Sequence, residues 1–154
     1  MNKVCLISSQ GGHLAEAKLI ADGLTAPDKG GRYEAFFITD GNKAVGFDEK
    51  VYLVRHFVRN PLLVFVTAWQ VFNILRKERP QAIICTGAEI GLPSFLVNLI
   101  FFRLPTVYVE CSAQVFNPSL TGRILYHVAD LFLVQWEPLL KKYGPKAKYR
   151  GGFI

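Results

Sequence analysis

Short apolar runs alternate with longer stretches of helical periodicity along the chain. Residues 4–8 form an apolar run that stops at Ser9-Gln10-Gly11-Gly12, the pattern of a buried strand entering a tight turn. Over residues 13–24 the apolar positions Leu14, Ala17, Leu19, Ile20 and Leu24 predict an amphipathic helix. A Pro/Gly-rich loop follows over 25–32. A second strand is predicted over 33–39, stopped by Asp40-Gly41-Asn42, and a short third over 51–54. Asn60-Pro61 reads as a helix start, because Asn can cap and Pro is pre-set for the first helical position. That helix runs to about Glu78, and Pro80 ends it. Strands at 82–85, 106–109 and 131–134 alternate with helices at 93–102, from Asn117-Pro118 to 128, and from Glu137-Pro138. A seventh strand closes the pattern at 147–150.

Apolar strands alternating with helices predict an α/β fold: a Rossmann-like parallel sheet with helices on both faces, as one domain over 1–154. Ligands of such sheets bind at the carboxyl ends of the strands. That rule selects residues 9–13, 40–42, 86–89, 110–114 and 135–136 before any motif is invoked.

Gly11 and Gly12 let the backbone approach a ligand, and the following helix offers free N–H groups and partial positive charge. The turn suits a phosphate or pyrophosphate held by Ser9, Gln10, Gly11 and Gly12. Equally, it is a Gly-Gly turn that permits tight packing. It is neither a G-x-G-x-x-G fingerprint nor a P-loop. The missing fingerprint counts against a free dinucleotide-binding domain with Asp40 on a ribose. His13, in the first helical turn, is expected to stay neutral beside the helix dipole and able to accept a proton. Its plainer reading is a helix-cap histidine. Glu110 ends a core strand and Glu89 follows Thr86-Gly87; each carboxylate either holds or deprotonates a ligand hydroxyl or simply solvates or caps a loop end. Cys111 is a passive thiol or a nucleophile paired with His13. His56 and His127 show no partner.

The helix after Pro61 departs from a one-sided amphipathic pattern. Thr67, Gln70, Asn73 and Lys77 form a narrow polar stripe, and Leu62, Phe65, Trp69, Phe72 and their apolar neighbours cover the rest. Arg55, Arg59, Arg76, Lys77 and Arg79 bracket it. Apolar surface with aromatic residues and flanking cations suits shallow contact with an anionic membrane face, through Leu62, Phe65, Trp69, Phe72 and Arg76. A partner subunit or the core could bury the same arc. Phe95 to Phe102, followed by Arg103, extends it.

Composition narrows the class. The chain has 154 residues, 51% of them hydrophobic, with 18 Lys and Arg against 12 Asp and Glu, a net charge of +6. A basic balance favours phosphate-bearing partners. No recognition helix, zinc finger or aromatic RNA-binding signature supports nucleic acid. Three widely spaced cysteines without a C-x-x-C pair argue against a disulfide framework or zinc site and for a reducing compartment. Residues 1–8 run straight into a strand-like segment, so no signal peptide is expected. No apolar run reaches the roughly 20 residues of a spanning helix. No metal or cofactor is expected.

Ser9 to His13, Thr86-Gly87 through Leu92-Pro93, Val107 through Ser112, Ser119 through Gly122, and Ala129-Asp130 through Trp136 together resemble the acceptor-side subunit of split glycosyltransferases. The same order is similar to the N-terminal half of the peptidoglycan lipid-intermediate N-acetylglucosaminyltransferase, a GT-B enzyme. The resemblance covers nearly the whole chain. It implies an acceptor-binding subunit of a two-component inverting transferase, which moves sugar from a nucleoside-diphosphate donor onto a polyprenyl-pyrophosphate-linked saccharide in capsule or exopolysaccharide synthesis. His13 or Glu110 would be catalytic. Ser9, Gln10, Gly11, Gly12, Thr86, Gly87, Glu89, Ser112 and Gln114 would line the acceptor and diphosphate site. The partner would be a small donor-binding subunit, engaged near residues 151–154. The eukaryotic relative has a membrane anchor not seen here, so attachment is expected to be peripheral, on the cytoplasmic face. The alternative is a non-catalytic subunit that anchors and enhances its partner.

Overall fold

The computed structural model describes residues 2–26, 31–41, 48–56, 60 and 62–153. Asn42, Arg59, Pro61 and Ile154, and part of the expected loop over 25–32, lie outside them. The strands are β1 (Asn2–Ser8), β2 (Tyr33–Asp40), β3 (Lys50–Val54), β4 (Ala82–Cys85), β5 (Thr106–Val109), β6 (Leu131–Val134) and β7 (Ala147–Tyr149). They form one sheet in the order β3-β2-β1-β4-β5-β6-β7. Every neighbouring pair is parallel.

Alternation along β1 builds the two layers. Leu6 packs with Ala35, Phe37 and, from helix α1 (Gly12–Thr25), Ala17 and Ala21. Cys5 and Ile7 belong to the larger cluster, with Phe36, Ile38, Ile83 and Cys85. Val71 and Leu75 of α2 (Leu63–Glu78) and Phe95 of α3 (Gly91–Val97) pack into it. So do Leu125 of α4 (Leu120–Leu125) and Leu139 of α5 (Pro138–Tyr143). The sheet is thus covered on both faces, as near-continuous apolar strands require.

Several helix boundaries differ from expectation. α3 starts at Gly91 and widens into a π-helical turn at Asn98–Phe102. The buried Asn98 amide closes that turn by bonding both the Leu104 N–H (3.0 Å) and the Leu104 carbonyl (2.9 Å). Ser119, rather than Asn117-Pro118, caps α4, its Oγ accepting the Gly122 N–H at 2.9 Å. α4 also ends at Leu125. Before α2, which starts at Leu63 with Leu62 rather than Asn60 as its cap residue, Asn60 Oδ1 accepts the Leu62 N–H at 3.0 Å.

α2 presents Thr67, Val71, Leu75 and Glu78 to the sheet. Thr67 therefore leaves the expected solvent stripe: its hydroxyl donates to the Arg55 and Leu63 carbonyls. The apolar arc is not core. Leu62, Phe65 and Trp69 are 71%, 72% and 66% exposed, and Arg76 is exposed beside them. Phe72 is half-buried, stacked on Trp69 and edge-on to Phe101. Leu96, Leu99, Ile100 and Phe101 continue the exposed apolar surface. No described helix is long and apolar enough to cross a membrane.

Candidate functional site

β1 and β4 lie side by side, and the chain leaves them in opposite directions along the sheet. This is the switch point where ligands of open α/β sheets bind. The loops after β1, β4 and β5 meet there around a cleft of about 340 Å³. Ser9, His13, Glu89, Glu110, Cys111 and Gln114 are among its lining residues.

The β1–α1 turn has Gly11 at φ 85°, a conformation natural to glycine. No side chain caps α1, so its first N–H groups and partial positive charge are available to an anion. The Gln10 N–H donates to Asp40 Oδ1 at 3.3 Å, and Asp40 also pairs with His56. His56, which showed no partner in the sequence, and Asp40 thus brace the turn from β2.

Thr86 and Gly87 position rather than line. Thr86 is fully buried; its hydroxyl donates to the His13 carbonyl (2.7 Å) and its carbonyl lies 2.8 Å from His13 Nδ1. The imidazole lies over Gly87, where a Cβ would come within 2.9 Å of the ring and φ is 107°. Only glycine fits. The surroundings of His13 work against the neutral ring expected beside the helix dipole. Its hydrogen bond to Cys111, opposed by desolvation and aided by the charge of Cys111, the Thr86 carbonyl and Glu16, raises its pKa to about 9. These contacts outweigh the helix dipole, so the ring suits an anion at neutral pH better than it suits accepting a proton.

Glu110 is 0% exposed. Oε1 accepts the Cys111 N–H (3.1 Å) and the Tyr108 hydroxyl (3.4 Å). Oε2 accepts the Ser119 N–H (3.2 Å), the Ser119 hydroxyl (3.0 Å) and the Tyr143 hydroxyl. Burial, then Glu110, raises the Tyr143 pKa and keeps its phenol a donor. A carboxylate holding five donors organises the start of α4 and has little capacity left as a base. Glu89 differs: it is exposed at the cleft, and no described residue hydrogen-bonds its carboxylate.

Ser112 donates its N–H (3.0 Å) and hydroxyl to Glu16 Oε1. Its carbonyl accepts the Trp136 indole N–H at 2.7 Å. Gln135 Nε2 donates to the Glu110 carbonyl at 3.0 Å. Sequence reasoning missed Glu16, Ser119 and Tyr143. Glu16 left a signal in standing three residues after His13, on the same helical face, and Ser119 in standing next to Asn117-Pro118 at a helix start.

Beside the cleft runs an apolar groove of about 390 Å³ between α2, α3 and α4. Phe65, Ala68, Leu96, Leu99 and Ile124 are among its walls. Leu92 lines both groove and cleft.

This sheet, with its cleft at the switch point, has the Rossmann-like fold seen in part of solved glycosyltransferase and UDP-N-acetylglucosamine 2-epimerase chains. MurG of Acinetobacter baumannii superposes with a TM-score of 0.71 at 13% identity, over 100% of this chain and 45% of that one. UDP-N-acetylglucosamine 2-epimerase of Rickettsia bellii gives 0.72 at 16%, over 99% and 45%. At such identity the likeness speaks to the fold alone.

Sequence goes further: residues 54–153 match the family described as "Oligosaccharide biosynthesis protein Alg14 like", and the chain belongs to it. The human UDP-N-acetylglucosamine transferase subunit ALG14 is 32% identical over 102 residues, 61% of this chain and 47% of that protein. Its Kluyveromyces lactis namesake is 60% identical over 105 residues, 66% and 44%. The chain spans about half the length of the curated relatives it matches. The family match begins at Val54, so it includes the loops after β4 and β5 but not the glycine turn.

Proposed function

We propose that this chain is the acceptor-binding subunit of a two-component inverting glycosyltransferase. It works at the cytoplasmic face of a membrane, in capsule or exopolysaccharide synthesis. A small partner subunit binds the nucleoside-diphosphate sugar, and the acceptor is a polyprenyl-pyrophosphate-linked saccharide. The observation that carries this reading is the Alg14-like match across residues 54–153. The relatives' name, UDP-N-acetylglucosamine transferase subunit, makes UDP-N-acetylglucosamine the first donor to try.

In this reading the Ser9 to Gly12 backbone, the open end of α1 and His13 hold the diphosphate. Ser9, Glu89 and Gln114 face the acceptor sugar from the cleft wall. The apolar groove that joins the cleft at Leu92 takes the lipid side. Leu62, Phe65, Trp69, Phe72 and Arg76 lie on an anionic membrane. The acceptor hydroxyl attacks the donor's anomeric carbon, the nucleoside diphosphate leaves, and the hydroxyl proton goes to a base. Glu89 is the cleft carboxylate with oxygens to accept it. No metal step is invoked.

One observation favours the second reading, a non-catalytic subunit that anchors and enhances its partner: Glu110, the buried strand-end carboxylate, already holds five donors.

A membrane-fraction transfer assay on a polyprenyl-pyrophosphate sugar separates them. The chain alone is expected to be inactive and the pair with its partner active. Glu89→Gln in an intact pair is expected to cost about 10²-fold or more, the usual weight of a general base. Full transfer by that pair and by its His13→Ala counterpart would leave the anchoring role. No transfer by any pair, with folded proteins and several donors, would sink the family-based reading.

A further inference from the structure

His13 and Glu16 share one face of α1, and Cys111 reaches them from the loop after β5. Their ligand atoms lie within 4.8 Å of one another. Two observations point to a missing occupant rather than to packing. Glu16 is 6% exposed; Oε1 is held by Ser112 and faces the Cys111 thiol at 4.0 Å, while Oε2 is buried and has no hydrogen-bond partner among the described residues. A buried polar atom is normally satisfied, and an orphan calls for an explanation. The second concerns the histidine: Nδ1 is committed to the Thr86 carbonyl at 2.8 Å. A ring that donates from Nδ1 to a carbonyl turns Nε2 toward Cys111, where an ion replacing that hydrogen bond would meet the outer-shell arrangement of metal-bound histidines.

We propose that His13 Nε2, Glu16 Oε2 and Cys111 Sγ form a three-ligand site for a zinc-class divalent cation, with a fourth position open to the cleft. Mixed nitrogen, oxygen and sulfur donors suit zinc; thiolate and imidazole exclude magnesium and calcium as preferred occupants. Thiolate and carboxylate together carry two negative charges and cancel those of the ion, which a largely buried site requires. Ligand atoms around tetrahedral zinc lie roughly 3.3–3.8 Å apart, so the cluster closes by about 1 Å on binding. Cys111, half-buried on a loop, supplies that movement. Binding releases the thiol proton and any proton on the imidazole. The ion would tie α1 to the β5–α4 loop across the cleft. The site shares His13 with the proposed diphosphate site, but it is read and tested on this chain alone.

Cobalt(II) titration of the purified chain tests it. One equivalent is expected to produce sulfur-to-cobalt charge-transfer absorption, displaced by zinc, and zinc is expected to raise the melting temperature. Cys111→Ala removes the charge-transfer band. Glu16→Gln, which keeps an acceptor for Ser112, weakens cobalt binding by about tenfold or more. Exposed His127→Ala binds as the parent does. Cys111→Ser replaces Cys111→Ala if circular dichroism shows the latter unfolded. A folded parent with no charge-transfer band, a band that survives loss of Cys111, or unchanged affinity in Glu16→Gln would each overturn the proposal. Because none of these readouts involves sugar transfer, failure here is distinct from failure of the transferase reading.

Discussion

Glu110 ends β5 beneath the start of α4, and its neighbours leave no spare volume. A Cβ built on Gly122 would collide with Glu110 Oε2 and the Tyr143 hydroxyl and press on Ser119 Oγ at 2.8 Å. Gly122→Ala is therefore expected to destabilise the chain by about 1–3 kcal/mol, the cost of overpacking a filled interior. Tyr143→Phe removes one donor from a buried charge and is expected to cost about 1–3 kcal/mol. Urea unfolding checks both, with a lowered midpoint at unchanged slope. A midpoint equal to the parent's in either variant would show that Glu110 does not depend on these contacts. Strand-end positions such as Glu110 were legible in the sequence, because a parallel sheet puts all its carboxyl ends on one edge. The tertiary partners were not. Glu16 meets Ser112 across 96 residues and Tyr143 meets Glu110 across 33, separations that no local pattern encodes.

The last turn of α2 is held by charge. Glu78 receives Lys3 at 2.8 Å and Lys50 at 2.6 Å, and also the Tyr52 hydroxyl, which ties α2 to the starts of β1 and β3. Hydrogen bonds from Lys3, then Lys50 and Tyr52, lower the Glu78 pKa from 4.5 to about 2. A depressed carboxylate stabilises the fold fully above its unfolded pKa, and that contribution fades as pH falls from about 4.5 through about 2. Glu78→Gln is expected to cost about 1–2 kcal/mol at neutral pH. That figure sits well below the full shift, because the two lysines are 32% and 54% exposed and screened by water. Its gap from the parent narrows below about pH 4.5 and closes below about pH 2, and thermal unfolding against pH reads it. A pH-independent gap would assign the loss to packing. Helix existence was legible from periodicity at every element, whereas the start of α4 was misplaced for a physical reason. Asn117-Pro118 and Ser119 are adjacent start signals of similar strength. Glu110 decides between them by accepting both the N–H and the hydroxyl of Ser119.

At the scale of the molecule, the cleft occupies the carboxyl edge of the sheet, and the apolar surface of α2, α3 and the π-helical turn adjoins it through the groove at Leu92. An apolar surface of this extent on a chain of net charge +6 is expensive to leave in water, and its aromatic content suits the lipid headgroup boundary. Arg76 and Arg103, exposed at the ends of those elements, add attraction to anionic lipid. The pattern in the sequence was compatible with core, partner or membrane. Exposure of Phe65 and Trp69 removes the core and leaves a contrast that salt can read. If the surface meets lipid, the chain should sediment with vesicles containing phosphatidylserine and much less with neutral ones. Binding should weaken as salt screens the arginines. Phe65→Ser with Trp69→Ser should reduce partitioning by about tenfold or more, since even half the burial energy of two aromatic side chains exceeds the 1.4 kcal/mol that a factor of ten requires. The Tyr143→Phe variant, which leaves the charge unchanged and lies in α5 away from the apolar surface, should partition as the parent does. Equal sedimentation of parent and double variant would assign the exposed face to a protein partner, and the lipid acceptor would then have to reach the cleft by a route other than the groove.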